Sequence, residues 1–430
     1  MTSEMTNKLK RLNPRELIRF VRDKSPFYKK LYSDLPETTK LIDLPVLTLD
    51  EYWKANGLKN NSVLTGPMID GVVFKSGGTT GNPKFSVFSK EEWKDFTESF
   101  GRGIVAGGLD VGDRVVNLFY VGQLYGSFLF INKSIEEAPL GVLQLPVAGS
   151  TDFAEIVSTI EEFQANALAG VPSTIMNLAE YIAEKAPNRL SVKKIFFGGE
   201  PVYGDQRERL LEIFPGVQIL SIGYASTDAG LLGYADRGCK PGEHRAFDQE
   251  TVLEILDEQT HKPIEGTGLE GLLVVTNLAR TLMPIVRYPA GDRGMWLEPK
   301  GTPNRKFVLM GRSEEAARIG LIKLYVQDVR DVINLFRAEL GILDFQLIVI
   351  HQDLLDGLIV RIAANADAEK LRDNAQKVVE EIHRARPLYE EFVRDNKVHP
   401  IEIQWIKMSE LETNSRTGKL RRVIDRRLSS

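Results

Sequence analysis

Between about residues 110 and 224, short apolar runs alternate with amphipathic stretches, and this alternation constrains the fold more than any other feature. Val115-Val116-Asn117-Leu118-Phe119, Ile195-Phe196-Phe197 and Gln218-Ile219-Leu220-Ser221-Ile222 read as strands, and 154–163 and 206–214 as helices. Strand and helix in turn predict an α/β fold of βα units around a mainly parallel sheet. Gly170, Gly198-Gly199 and Gly223 fall where strands end, the side of such a sheet on which ligands bind. From 250 to 310 the pattern changes to strands at 252–256 and 272–276 between glycine-rich turns, which predicts an antiparallel, β-barrel-like subdomain or sheet. Beyond it the spacing predicts helices over 327–340 and 367–384 and strands over 345–350, 357–363 and 401–405, a small α+β domain. The expected division is a large N-terminal domain, 1–311, and a C-terminal domain, 312–430, meeting at Gly311-Arg312-Ser313.

With 430 residues, 43% of them hydrophobic and 27% charged, the chain has material for more than one domain and a sizeable core. A formal charge of −4 gives no basic excess to hold nucleic acid or an anionic membrane, so neither is expected as a partner. The single cysteine, Cys239, excludes an internal disulfide and a cysteine-rich zinc site and fits a reducing compartment. The first twenty residues carry Lys8, Lys10, Arg11, Arg15 and Glu16 in place of an apolar signal core, and no apolar run is long enough to span a bilayer. The expected location is the cytoplasm. Oligomeric state stays open, a homodimer among the options.

Ser76-Gly77-Gly78-Thr79-Thr80-Gly81-Asn82-Pro83-Lys84 concentrates hydroxyls, glycines and a lysine. Glycine lets backbone amides converge on an anion, hydroxyls add donors without bulk, and lysine adds mobile positive charge, a combination suited to a polyphosphate. Counting from Gly77, Asn82 and Pro83 occupy the places that the P-loop of nucleotide kinases reserves for glycine and lysine, so that motif is excluded. A polar surface loop has the same composition, and the segment alone does not separate the two.

The segment is followed in order by Gly198-Gly199-Glu200-Pro201, Gly223-Tyr224-Ala225-Ser226-Thr227-Asp228, Arg287-Tyr288-Pro289-Ala290-Gly291-Asp292, Gly311-Arg312-Ser313-Glu314-Glu315 and Arg416-Thr417-Gly418-Lys419. The ordered set resembles the adenylate-forming acyl-CoA ligase (acyl-CoA synthetase, AMP-binding) superfamily, and most closely its phenylacetate-CoA ligase branch. The resemblance covers nearly the whole chain, including Ser25-Pro26-Phe27-Tyr28 and Glu254-Ile255-Leu256-Asp257.

That resemblance implies two steps: a carboxylate attacks the α-phosphate of MgATP to give an acyl-adenylate and pyrophosphate, and a thiol then displaces AMP. It implies that Ser76, Gly77, Gly78, Thr79, Thr80, Gly81 and Lys84 surround the departing pyrophosphate, whose charge demands fixed donors and cations. Tyr224 and Ala225, with Gly199, Glu200 and Pro201 as the other wall, would enclose adenine, and Thr227 would donate to the α-phosphate. Asp292 would accept both ribose hydroxyls, and Arg312 would bind ribose or phosphate. Asp228, where the family normally has glutamate, would hold Mg2+; its alternative is a cap for a following helix. Lys419 would be the catalytic ammonium that offsets repulsion between carboxylate and α-phosphate, the alternative being a basic solvated tail. Glu314 falls on the hinge position of a mobile C-terminal lid, normally aspartate.

Tyr120 and Tyr125, on a glycine-containing segment after a strand, match the segment bordering the aryl group in the family; core packing explains them equally well. Leu321 stands where the family has a glycine lining the pantetheine tunnel, which makes coenzyme A the less secure of the expected cofactors ATP, Mg2+ and CoA. The expected activity is therefore ATP-dependent activation of a small aromatic carboxylic acid and its transfer to CoA. The alternatives are transfer to a carrier protein or reductase, adenylation of a cofactor carboxylate, and a non-catalytic nucleotide-binding homologue.

Overall fold

The computed structural model describes residues 11–76, 84–185, 190, 192–312, 316–320, 322–415 and 417–427. They form two compact units, one of 1–170, 191–199 and 218–313, the other of 171–190, 200–217 and 314–430. Contacts thus divide the chain differently from a single cut at 311/312. The helices Pro172–Lys185 and Gly204–Ile213 group with the C-terminal residues, to which they are tied by Glu200, Tyr203 and Gln206.

The first unit holds a five-stranded sheet in the order Leu143–Pro146, Arg114–Leu118, Ala167–Gly170, Lys194–Phe197, Gln218–Ser221, parallel throughout. Its central strands are apolar on both faces, as parallel strands covered on two sides must be: Val115, Val116, Leu168, Ile195 and Phe196 are all buried. A seven-stranded antiparallel sheet runs in the order Thr251–Leu256, Glu270–Asn277, Tyr288–Trp296, Lys306–Arg312, Glu243–Ala246, Gly230–Tyr234, Tyr224–Ser226. It begins at Tyr224 rather than near 250, because the segment around the Tyr224 motif folds back as a hairpin. Gly311 and Arg312 continue a strand instead of forming a turn.

One core joins this sheet to the N-terminal helices Pro14–Lys24, Pro26–Leu31 and Leu49–Ala55, packing Leu17, Val21, Tyr28 and Tyr52 against Leu273, Val275 and Phe307. Tyr28 and Tyr52, both fully buried, each donate a hydroxyl hydrogen to the carbonyl of Pro284 at 3.0 Å. The buried Arg287 forks onto Glu254 through Nε and NH2, each at 3.1 Å. The Arg287 and Glu254 motifs therefore meet as a structural ion pair.

In the second unit a four-stranded sheet runs Glu402–Ile406, Leu355–Ala364, Ile342–Gln352, Val423–Asp425. Its core takes Val329 and Ile333 from the helix Val326–Leu340, and Val378 and Ile382 from the helix Ala368–Ala385. The helix Pro387–Arg394 and the strand Val423–Asp425 add to the elements predicted from periodicity. Among the described residues no helix is long and apolar enough to cross a membrane.

Candidate active site

The strands Val72–Ser76 and Lys84–Phe88 pair antiparallel with Ser76 opposite Lys84, so the two ends of the expected phosphate loop stand together at the mouth of a hairpin. Gly77, Gly78, Thr79, Thr80 and Gly81 lie outside the described residues. The Lys84 ammonium lies 5.3 Å from the centroid of the Trp53 ring, a cation–π contact that holds the side chain. Trp53 Nε1 in turn donates to the Tyr288 hydroxyl at 3.2 Å.

Thr227 and Asp228 occupy the turn between the strands Tyr224–Ser226 and Gly230–Tyr234, where Ser226 faces Gly230. The Ala229 N–H donates to Ser226 Oγ at 2.9 Å and closes the turn. A strand follows it, so the helix-cap alternative for Asp228 falls away. Gly230 has φ +88°, and a Cβ there would stand 2.5 Å from Asn277 Nδ2, so only glycine fits this turn against its neighbour.

The Asp228 carboxylate accepts from Ser76 Oγ at 3.2 Å and Ser86 Oγ at 3.3 Å. Lost hydration raises its pKa above the ordinary carboxylate value, while the Ser76 hydroxyl and the charges of Lys84 and Arg280 oppose that rise. Arg280, 2% exposed, holds the turn from beneath: it donates to the carbonyls of Asp228 at 2.7 Å, Thr227 at 3.4 Å and Val87 at 3.3 Å. Its guanidinium also lies 4.2 Å from the centroid of the Phe88 ring. One buried cation thus fastens the Asp228 turn to the Lys84 strand.

Tyr224 and Asp292 are brought together: the tyrosine hydroxyl donates to Asp292 Oδ2 in a short hydrogen bond. Asp292 lies on the strand Tyr288–Trp296 opposite Arg312, whose side chain is outside the described residues. Behind the ring of Tyr224, 5.9 Å away between centroids, lies the buried His244. Its Nδ1 meets the Gly242 carbonyl at 3.2 Å and must carry the proton there, so Nε2 accepts from Ser221 Oγ at 3.1 Å. Ser221 Oγ accepts in turn from the Gly223 N–H at 3.2 Å, which fixes the turn leading to Tyr224.

The Leu124 carbonyl accepts from the Lys75 N–H at 2.9 Å, setting the Tyr120 and Tyr125 segment beside the strand that carries Ser76. Tyr120 donates its hydroxyl hydrogen to the Gly149 carbonyl at 3.1 Å, and both rings are half-buried.

In the second unit the Glu200 carboxylate accepts from the Ser173 N–H at 3.1 Å and from the Ser173 hydroxyl, while its other oxygen accepts from the Leu420 N–H. Pro201 follows Glu200 in the segment leading to the helix Gly204–Ile213. Lys419 sits in a tight turn: the Gly418 N–H donates to the Asn414 carbonyl, and the Asn414 N–H to the Lys419 carbonyl, both at 2.8 Å. Gly418, with φ +67°, supplies the left-handed residue that the turn requires. The Lys419 side chain is half-buried.

The model of the family described as AMP-binding enzyme matches residues 72–281. The phenylacetate-coenzyme A ligase of Thermus thermophilus is 25% identical over 96% of this chain and 95% of its own length. That of Pseudomonas putida is 25% identical over 83% of this chain and 78% of its own. This chain is a phenylacetate-CoA ligase-like, adenylate-forming enzyme. A solved 2-hydroxyisobutyryl-CoA ligase, in its postadenylation state with 2-HIB-AMP, shares the fold of this adenylate-forming enzyme with a TM-score of 0.76 at 18% identity, over 96% of this chain and 87% of that one.

Of the motif positions in this adenylate-forming enzyme, Ser313, Glu314, Leu321 and Arg416 lie outside the described residues. The donors at Asp228, a carboxylate beside two serine hydroxyls, are hard oxygen ligands that fit Mg2+. No group of three or more histidine, cysteine or acidic side chains is gathered for a metal among the described residues. A site that holds Mg2+ through one or two carboxylates and substrate phosphates does not need one.

Sequence reasoning missed Ser86, Arg280, Ser221, His244 and Ser173. Arg280 carried a signal, a lone charge between the apolar runs Leu278-Ala279 and Leu282-Met283. The others are reached only through partners distant in sequence.

Proposed function

We propose that this enzyme adenylates a small aromatic carboxylic acid with ATP and transfers the acyl group to coenzyme A. The observation that carries the reading is the gathering of Ser76, Lys84, Asp228, Tyr224 and Asp292, residues from separate motifs, within one compact unit. Ser76 and Lys84 present a hydroxyl and an ammonium to the departing pyrophosphate. Asp228 would hold Mg2+, with Ser86 and Arg280 fixing its turn, and the metal would supply positive charge to the phosphates. Tyr224 stacks on adenine beside Ala225 and the backbone of Gly199, Glu200 and Pro201. Asp292 takes the ribose hydroxyls and Thr227 the α-phosphate, with Arg312 on ribose or phosphate. Lys419 brings an ammonium to the carboxylate and α-phosphate, and Glu314 serves as the hinge.

The relatives named as phenylacetate-coenzyme A ligases support both the acid class and the acceptor. Purified enzyme incubated with ATP, Mg2+, CoA and a panel of aryl acids is expected to release pyrophosphate and AMP and to form a CoA thioester detectable by mass spectrometry. A panel without ATP consumption overturns the reading. Acyl-adenylate that accumulates without thioester moves the acceptor to a carrier-protein thiol.

A further inference from the structure

The resemblance gives Glu200 a place near adenine, yet both oxygens of its carboxylate are engaged elsewhere. One oxygen takes both the N–H and the hydroxyl of Ser173, in the first turn of the helix Pro172–Lys185. The other takes the N–H of Leu420, the residue directly after Lys419. A carboxylate accepting three such hydrogen bonds makes charge-assisted contacts that are stronger and more directional than neutral ones. A second fastening lies two residues further on. Arg422 pairs with Asp344, with 2.9 Å between NH2 and Oδ2, and Gln206 Nε2 donates to the same Asp344 oxygen at 3.1 Å. Arg330 stacks on Tyr203 with its guanidinium 3.8 Å from the ring centroid. The segment carrying Lys419, Leu420 and Arg422, which leads into the strand Val423–Asp425, is therefore clamped at its backbone by Glu200 and at the Arg422 side chain by Asp344. Arg422 fixes the segment two residues on, whereas Glu200 and the Asn414 N–H hold the two ends of the peptide directly after the lysine, Glu200 at the Leu420 N–H and Asn414 at the Lys419 carbonyl.

We propose that Glu200 is the positioning residue for Lys419: through the Leu420 N–H it sets where the ammonium stands during adenylation, and Ser173 holds the carboxylate in place. The inference rests on the adenylation reading above, in which Lys419 acts on the acyl carboxylate and the α-phosphate. A displacement of about 1 Å at such a group costs on the order of 100-fold in rate.

The test uses full-length wild type, Glu200→Ala, Glu200→Gln and Ser173→Ala, with melting temperature as the control for folding. Acyl-adenylate formation without CoA, and thioester formation from chemically supplied acyl-adenylate, are measured separately. Glu200→Ala is expected to lower kcat of adenylation by roughly 10- to 100-fold with KM for ATP unchanged and the thioester step unaffected. Glu200→Gln, whose amide oxygen still accepts from Leu420, recovers part of the loss. Ser173→Ala shows a smaller drop in the same step. A rise in KM for ATP at unchanged kcat means that Glu200 serves the nucleotide and overturns the inference, as does equal loss in both steps or wild-type adenylation by Glu200→Ala. A wild-type enzyme that adenylates no acid overturns the functional reading instead.

Discussion

The Tyr224 hydroxyl donates to the carboxylate of Asp292, so the residues assigned to adenine and ribose form a single hydrogen-bonded pair. On the proposed reading, ATP would share Asp292 with that hydroxyl, and the pairing would orient the carboxylate for the ribose. Asp292→Ala is expected to raise KM for ATP by roughly 10- to 100-fold, the loss of charge-assisted hydrogen bonds. Tyr224→Phe keeps the ring and is expected to cost less. Pyrophosphate release at varied ATP measures both, and an unchanged KM in Asp292→Ala removes the ribose assignment.

Arg280 binds the carbonyls of Thr227, Asp228 and Val87 from a fully buried position. Truncation removes the donor that these three carbonyls share. Arg280→Ala is expected to lower unfolding free energy by about 3 kcal/mol and to raise the Mg2+ concentration for half-maximal activity. Urea unfolding and a Mg2+ titration of pyrophosphate release check the two effects separately. Wild-type stability in the variant contradicts the bracing role.

His244 supplies a pH dependence of stability. Burial lowers its pKa from 6.5 to about 4, so the folded ring stays neutral where the unfolded ring takes up a proton. Between those values the unfolded state binds more protons, and stability falls as pH drops. The full effect is about 3 kcal/mol, present above pH 6.5 and lost progressively toward pH 4. Unfolding of wild type and His244→Gln at pH 7.5, 6 and 5 isolates it, because Asp228 titrates alike in both. The difference between the two proteins is expected to shrink with falling pH; parallel curves contradict a neutral buried histidine.

Much of this was legible because its signals are local. Apolar runs such as Ile195-Phe196-Phe197 announce strands from neighbours alone, and the ordered motifs name their residues without a fold. What was not legible depends on chain closure. Glu200 meets Leu420 across 220 positions, and Ser86 meets Asp228 across 142; no window of sequence holds both partners. The hairpin at Asp228 was hidden for the same reason: Gly230 is dictated by Asn277, and without that contact the turn reads equally well as the start of a helix. The helix Pro387–Arg394 is short and buries only Tyr389 among its eight residues, too little periodicity to register.

Arg287 and Glu254 form a nearly dry, two-pronged pair, with side chains 4% and 10% exposed. Removing one partner strands the other's charge. Arg287→Ala is expected to cost about 3 to 5 kcal/mol in urea unfolding, and Glu254→Ala a comparable amount. The double variant is expected to be less destabilised than the sum, because neither charge is then left alone. Strict additivity places the cost in packing instead.

The role proposed for Lys419 separates the two half-reactions by chemistry alone. In the first step two anions, the acyl carboxylate and the α-phosphate, must approach each other, and charge builds on the phosphoryl oxygens as pyrophosphate leaves. In the second, a thiol attacks an acyl carbon already joined to phosphate, and no pair of anions has to be forced together. On the proposed reading, the Lys419 ammonium, carried on the turn closed by Asn414 and Gly418, would serve the first step. Lys419→Ala is expected to slow acyl-adenylate formation on the order of 100- to 1,000-fold, as expected for loss of a fixed donor facing developing charge. Thioester formation from supplied acyl-adenylate and CoA is expected to stay near wild type. Lys419→Arg restores the charge but not its compact geometry and should recover only part of the first step. Rapid-quench measurement of both steps in each variant decides the matter, and equal loss in the two steps of Lys419→Ala makes the lysine a structural element of its turn.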